Sequence, residues 1–209
     1  MSMTVSPESS TPVFLHVGCG RKKKDRTPFA NQNWFEIRLD IDSAVQPDMI
    51  GTMTDMKAVS DSSVDAVFSS HNIEHLYPHE VPIALAEFYR VLKPEGFVLL
   101  TCPDLQSVCN LVANDHLTDA AYQSRMGPIT PLDILYGHCA SMRAGNLYMA
   151  HRCGFTKKVL ASTLSMAGFD AGVKARPDNF DLWAVGLKKT GQTSVGSDRL
   201  KHLCSVYLP

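Results

Sequence analysis

Short apolar runs alternate along the chain with polar stretches punctuated by glycine or proline. Val13-Phe14-Leu15-His16-Val17 is apolar but for one histidine and reads as a strand buried on both faces. Phe35 to Ile41 alternates instead, with Phe35, Ile37, Leu39 and Ile41 on one side, as a half-buried strand requires. Met49-Ile50-Gly51, Val64 to Ser70 and Phe97 to Cys102 give three further strands. Between the last two lies the clearest helix, Glu80 to Leu92. Val81, Ala84, Leu85, Phe88, Val91 and Leu92 form one stripe on it, and Pro82 sits in the first turn, where a missing N–H costs nothing. Lys93-Pro94-Glu95-Gly96 ends it. A second helix starts at Thr156 as N-cap and stops at Gly168, with Val159, Leu160, Thr163, Leu164 and Ala167 inward. Ala171 to Arg176 and Leu182 to Leu187 are the last two strands. Four residues, Pro177 to Phe180, join them, too few for a crossover helix, so the pair is antiparallel. The alternation predicts an α/β fold with a mostly parallel sheet, helices on both faces and one reversed strand at its end.

Four segments depart from this rhythm. Residues 1–12, rich in Ser, Thr and Pro, read as a disordered N-terminal tail. From Gly20 to Trp34, where a first helix belongs, there is a basic run (Arg21, Lys22, Lys23, Lys24), then Pro28, and no apolar stripe, so a loop is expected. Residues 116–155 form a weakly periodic insertion rich in Tyr and Met, suited to a lid or a homo-oligomer contact. Residues 191–209 read as a weakly ordered tail, leaving one domain over 13–190.

Composition narrows the function. The chain has 209 residues, 44% hydrophobic and 20% charged, ordinary for a soluble domain with a sizeable core. A net charge of −1 offers no footprint for nucleic acid or an anionic membrane. The six cysteines form no CxxC pair, which argues against a zinc framework and suits a reducing cytoplasm. Cys109 and Cys153 read as small hydrophobes on packed faces. No run is long enough to cross a bilayer.

The chemistry concentrates at strand ends. Gly18-Cys19-Gly20 turns sharply out of the first strand, and glycine lets a backbone approach a ligand closely. Asp40, with Asp42 as the alternative, ends the second strand, where a carboxylate accepts ribose hydroxyls. Together they indicate a nucleoside-containing cofactor. His71-Asn72-Ile73-Glu74-His75 follows the fourth strand, where ligands bind in such sheets, and His71, Glu74 and His75 are the candidates for proton removal. His151 and Arg152 stand at the mouth of the last helix, where Arg152 suits a substrate carboxylate.

Four stretches in order carry a family resemblance: Leu15 to Gly20, Leu39 to Asp42, Asp61 to His71, and Glu87 to Gly96. The chain resembles the class I S-adenosylmethionine-dependent methyltransferases, in particular their small-molecule group, from about Val13 to Lys189. The resemblance implies a Rossmann-like seven-stranded mixed sheet with a reversed last strand. S-adenosylmethionine is the implied cofactor and a small molecule the implied acceptor, through an O, N, S or C atom. It places His16, Gly18, Cys19, Gly20, Asp40, Ile41, Thr52, Met53, Asp55, Ser70 and His71 around the cofactor, Asp40 on the ribose and the stretch 51–56 along the adenine. Thr52 stands where many relatives carry an acid, and the usual third glycine is replaced by the basic run. Some relatives that methylate adjacent hydroxyls carry Glu-x-x-Glu-His and bind a divalent ion. Here the matching positions are His71, Glu74 and His75, with His138 or His151 as later ligands. A metal-assisted hydroxyl methyltransferase is thus the rival reading; the leading one needs no metal. From another class, the rival is a regulatory protein that binds the cofactor without turnover.

Overall fold

A computed structural model describes residues 10–124, 126–189 and 193–209, so residues 1–9 of the expected N-terminal tail lie outside it. Its strands are β1 (Val13–Val17), β2 (Phe35–Asp40), β3 (Met49–Ile50), β4 (Val64–Ser70), β5 (Leu92–Pro103), β6 (Tyr122–Ser124), β7 (Gly127–Ile129), β8 (Phe169–Arg176) and β9 (Asp181–Lys188). Seven of them form one sheet in the order β3-β2-β1-β4-β5-β9-β8. β1 to β5 run parallel, and β9 lies antiparallel between β5 and β8. This is the expected Rossmann-like mixed sheet. The order reverses between β1 and β4, which leaves their carboxyl ends flanking a crevice.

Alternation along β1 divides the interior in two. Leu15 and Val17 face a core completed by helix α1 (Val81–Val91), through Val81, Leu85, Phe88 and Val91, and by the later helix at 157–166, through Leu160 and Leu164. Phe14 faces the other core with Phe29, Phe68, Phe97 and Leu99. The expected loop after Gly20 holds only a short 3-10 turn, Lys24–Arg26. Phe29, from that loop, stacks on Phe14 with ring centres 4.3 Å apart and fills part of the space a first helix would occupy.

The remaining helices are α2 (Leu105–Ala113), α3 (Pro131–Tyr136), α4 (Cys139–Arg143), α5 (Lys157–Met166) and α6 (Thr193–Tyr207). Three expectations need correcting. The stretch expected to be a weak tail carries α6, whose Leu203 and Tyr207 are buried on the Phe14 core. Leu200, Cys204 and Leu208 pack beside them, so the segment carries an apolar stripe at helical spacing and not the weak order of a tail. Val159 of α5 is exposed, because Leu160 and Leu164 alone define the buried line. Cys109 is exposed on α2, which buries Val108 instead. β5 also starts earlier than expected, at Leu92. It passes through Glu95 at φ 62° and a register shift opposite Val64 and Ala66.

The insertion is more structured than its periodicity suggests. β6 and β7 pair as a hairpin, followed by α3, α4 and a 3-10 turn at Leu147–Met149. Ile129 and Ile134 pack on Val108 of α2, which ties the insertion to the domain.

Candidate active site

Gly18 leaves β1 at φ +63°, a conformation that side chains disfavour. Its N–H donates to the Leu39 carbonyl at 2.9 Å. A Cβ there would lie 2.3 Å from the Asn72 side chain, so glycine is demanded twice over. The Asn72 amide in turn donates to the carbonyls of Ser70 and Val17, at 3.0 and 3.2 Å, and bolts the β1 and β4 exits together.

Asp40 is buried at the end of β2. One of its oxygens accepts the Gly20 N–H at 2.7 Å and the other accepts the Asp42 N–H at 2.9 Å. Two donors fix the carboxylate and leave a lone pair on each oxygen for a diol. Asp42, the alternative, caps the following 3-10 turn by accepting from the Ala44 N–H. Arg38 spans the same region. Its guanidinium donates to the carbonyls of Gly20 at 2.6 Å, Gln46 at 2.8 Å and Lys22 at 3.3 Å, joining the loops on either side of β2.

These groups border a cavity of about 460 Å³. Cys19, Ile41, Thr52, Met53 and Ser70 line it as expected, and burial pushes the Cys19 thiol up to about 11. Its far wall is formed by His71, Asn72, His75, Tyr148 and Arg152. Tyr148 and Asn72 were not among the expected residues. Asn72 is adjacent to a candidate and distinguishable only through its contact with Gly18, and Tyr148 reaches the cavity only because the insertion folds back.

Four expected residues play other parts. His16 borders the cavity, but its Nδ1 pairs with Glu36 Oε1 at 2.7 Å, and the second Glu36 oxygen accepts the Lys24 N–H at 2.8 Å. Its ring therefore braces the basic loop. Asp55 is absent from the cavity lining and pairs with exposed Lys57 at 3.0 Å, beside a separate groove with Ile83 and Glu87. Glu74 and His151 stand behind the wall rather than in it.

That second layer is unusual. Glu74 is 1% exposed, and neither carboxylate oxygen has a hydrogen-bond partner. The nearest charged contact is His71 Nδ1, at 3.5 Å from Oε1. Burial pushes its pKa up, but His71, His75 and His151 outweigh this and hold the carboxyl below its usual range. His75 and His151 lie with ring centres 4.9 Å apart. Burial pushes the His151 imidazole below its usual value, against the opposing pull of Glu74. His138, the other late ligand considered, contacts the Ser141 hydroxyl at 2.7 Å and is not part of this group.

Comparison with known proteins gives these features a context. Residues 15–100 match the family model described as a methyltransferase domain. The fold is similar to an S-adenosylmethionine-dependent methyltransferase from Archaeoglobus fulgidus, at 14% identity and a TM-score of 0.56, covering 86% of this chain and 87% of that one. It is similar to one from Methanosarcina mazei, at 18% and 0.56, covering 85% and 92%. A third similar structure is the 1,6-didemethyltoxoflavin-N1-methyltransferase of Burkholderia thailandensis, with 1,6-didemethyltoxoflavin and S-adenosylhomocysteine bound, at 17% and 0.54, covering 86% and 72%. No curated protein matches the chain. Strand order and glycine turn are those of the class I S-adenosylmethionine-dependent methyltransferase fold, and the methyltransferase-domain model matches residues 15–100, less than half of the chain. Among the described residues no helix is long and apolar enough to cross a membrane.

Proposed function

We propose that the chain methylates a small-molecule acceptor at an oxygen or nitrogen atom. The observation that carries this reading is the continuity of one cavity, from Gly18 and Asp40 at one end to His71, His75, Tyr148 and Arg152 at the other. A volume of about 460 Å³ accommodates a nucleoside and a small acceptor, within the range of ordinary ligand sites. The Burkholderia relative, which holds a heterocycle beside its cofactor product, supports the same size of acceptor.

The sulfonium of S-adenosylmethionine supplies an activated methyl, so alignment and proton removal are left to the protein. Asp40 holds the ribose hydroxyls, and the open turn at Gly18 to Gly20 lets the chain run beneath the methionine portion. His71, about half exposed and facing the cavity, takes the proton that the acceptor sheds. Its backbone N–H donates to the Thr101 carbonyl at 2.8 Å, which fixes the ring's origin. Arg152, stacked 4.8 Å from the Tyr77 ring centre, is placed to grip an anionic group on the acceptor.

Calorimetry with S-adenosylhomocysteine and turnover on a panel of small phenols, amines and carboxylates test the reading. Asp40→Ala should weaken binding by about 1–3 kcal/mol, the cost of unpaired ribose hydroxyls. His71→Ala should keep that affinity and lose on the order of 10²–10⁴ in turnover. Failure of the wild-type protein to bind the product overturns the reading, as does full activity in His71→Ala.

A further inference from the structure

Arg21, Lys22 and Arg152 border the same cavity, and among the described residues none of the three is paired with a carboxylate. They come from two parts of the chain, the loop after β1 and the returning end of the insertion. The positive surplus is local, since the whole chain has 20 Lys and Arg against 21 Asp and Glu. Lys23 and Arg26, exposed in the same loop, continue the basic stretch beyond the lining.

The carboxylates nearby do not cancel this surplus. Asp40 accepts the Gly20 and Asp42 N–H groups and is committed to the ribose, and Asp42 caps the turn at Ser43–Val45. Glu36 and Glu74, absent from the lining, each face an imidazole, His16 at 2.7 Å and His71 at 3.5 Å. The cofactor does not cancel it either, because it brings a sulfonium and an ammonium against a single carboxylate. Arg38 adds nothing to it, its guanidinium being spent on the carbonyls of Gly20, Lys22 and Gln46.

Arg152 is the best prepared of the three. Its backbone N–H donates to the Glu74 carbonyl at 2.8 Å, and its Nη1 donates to the His75 carbonyl at 3.1 Å while the guanidinium stacks on Tyr77. The rest of the planar fork is left for an oxyanion. Such a fork satisfies one carboxylate by itself. Two further cations call for a group with more charge and more acceptor atoms. A phosphate monoester has both, with close to two negative charges at neutral pH and three terminal oxygens. We propose that the acceptor is a small phosphorylated molecule, its phosphate held by Arg152 and the Arg21–Lys22 loop and the atom to be methylated directed toward His71. The inference rests on methyl transfer in this cavity and narrows the acceptor to a phosphate monoester.

The test is calorimetry on the full-length protein loaded with S-adenosylhomocysteine and titrated with phenyl phosphate, benzoate or phenol. Phenyl phosphate should bind about tenfold more tightly than benzoate, with phenol weakest, since each charge-assisted contact is worth about that factor. Its affinity should fall as salt is added, and inorganic phosphate should compete better than chloride at equal ionic strength. Arg152→Ala, and Arg21→Ala combined with Lys22→Ala, should each cut phenyl phosphate affinity about tenfold while the affinity for S-adenosylhomocysteine holds. Arg152→Lys should recover only part, because the charge returns without the fork. The proposal falls, and the methyltransferase reading stands, if a protein that binds S-adenosylhomocysteine takes up no phenyl phosphate, binds the three probes equally, or is unaffected by the substitutions. It falls too if the double variant loses S-adenosylhomocysteine but not methylthioadenosine, which lacks the amino acid, for the two cations then serve the donor's own carboxylate. A wild-type protein that binds no S-adenosylhomocysteine removes the reading beneath the proposal, and the proposal with it.

Discussion

Gly18 shows how much a single residue can fix. Its positive φ and the Asn72 side chain at 2.3 Å from a virtual Cβ are independent constraints, so replacing it cannot be absorbed by either one relaxing. Gly18→Ala should lower the melting temperature and weaken S-adenosylhomocysteine binding by at least tenfold, since the left-handed backbone alone costs an L-residue about 1–2 kcal/mol. Pairing it with Asn72→Ala should recover part of the melting temperature by removing the clash, while the backbone cost remains. Scanning fluorimetry and calorimetry on the three variants check this, and an unaltered Gly18→Ala protein contradicts it. Asp40 and Asp42 make the complementary point. Two identical side chains two positions apart have separate tasks because one is gripped by the Gly20 N–H and the other caps a turn.

Among the elements, α3 is the clearest case of local chemistry setting stability. Thr130 and Asp133 form a reciprocal capping box, and the second Asp133 oxygen accepts the Cys139 N–H at 2.9 Å, linking α3 to α4. Burial raises the Asp133 carboxyl, but the Cys139 N–H and the Thr130 hydroxyl and N–H outweigh it and bring it from 3.8 down to about 2. The folded form therefore binds its proton less readily than the unfolded chain. Its contribution is complete above about pH 4 and disappears as the pH falls through about 2. Hydrogen exchange at the α3 amides should accelerate across that window in the wild type and already be fast at neutral pH in Asp133→Ala, with a stability loss of about 1 kcal/mol. Exchange independent of pH there would remove the box from the account.

Elements with strong periodicity were legible in the sequence. α1, β1, β4, the Thr156 cap and the final antiparallel pair fall where pattern and turn chemistry put them. α6 was legible too, from Leu200, Leu203, Cys204, Tyr207 and Leu208 at helical spacing, but polar residues between them and its place past the last strand read as a tail. That Gly18, Asp40 and His71 border one cavity could be read from their positions at strand ends. The removal of Asp55 and the retreat of His16 behind Glu36 could not, since each depends on a partner that only folding supplies.

On the scale of the whole molecule, the missing first helix and the unexpected last one belong together. Phe29 from the loop and Tyr207 from α6 meet with ring centres 5.2 Å apart, and the Tyr207 hydroxyl donates to Gln32 at 2.9 Å. The end of the chain thereby closes the face that the basic loop leaves thin. Tyr207→Ala should lower the unfolding free energy by about 3 kcal/mol, the usual cost of removing a buried aromatic, with cofactor affinity at native temperature unchanged. Urea titration and calorimetry separate the two effects, and a loss below 1 kcal/mol would show that α6 is dispensable to the core.

Arg38 grips the neighbouring loops only by their main-chain oxygens. A clasp of that kind is blind to side-chain identity. The side chains of Arg21 and Lys22, which border the cavity, can therefore be exchanged while the main-chain path beneath them stays put.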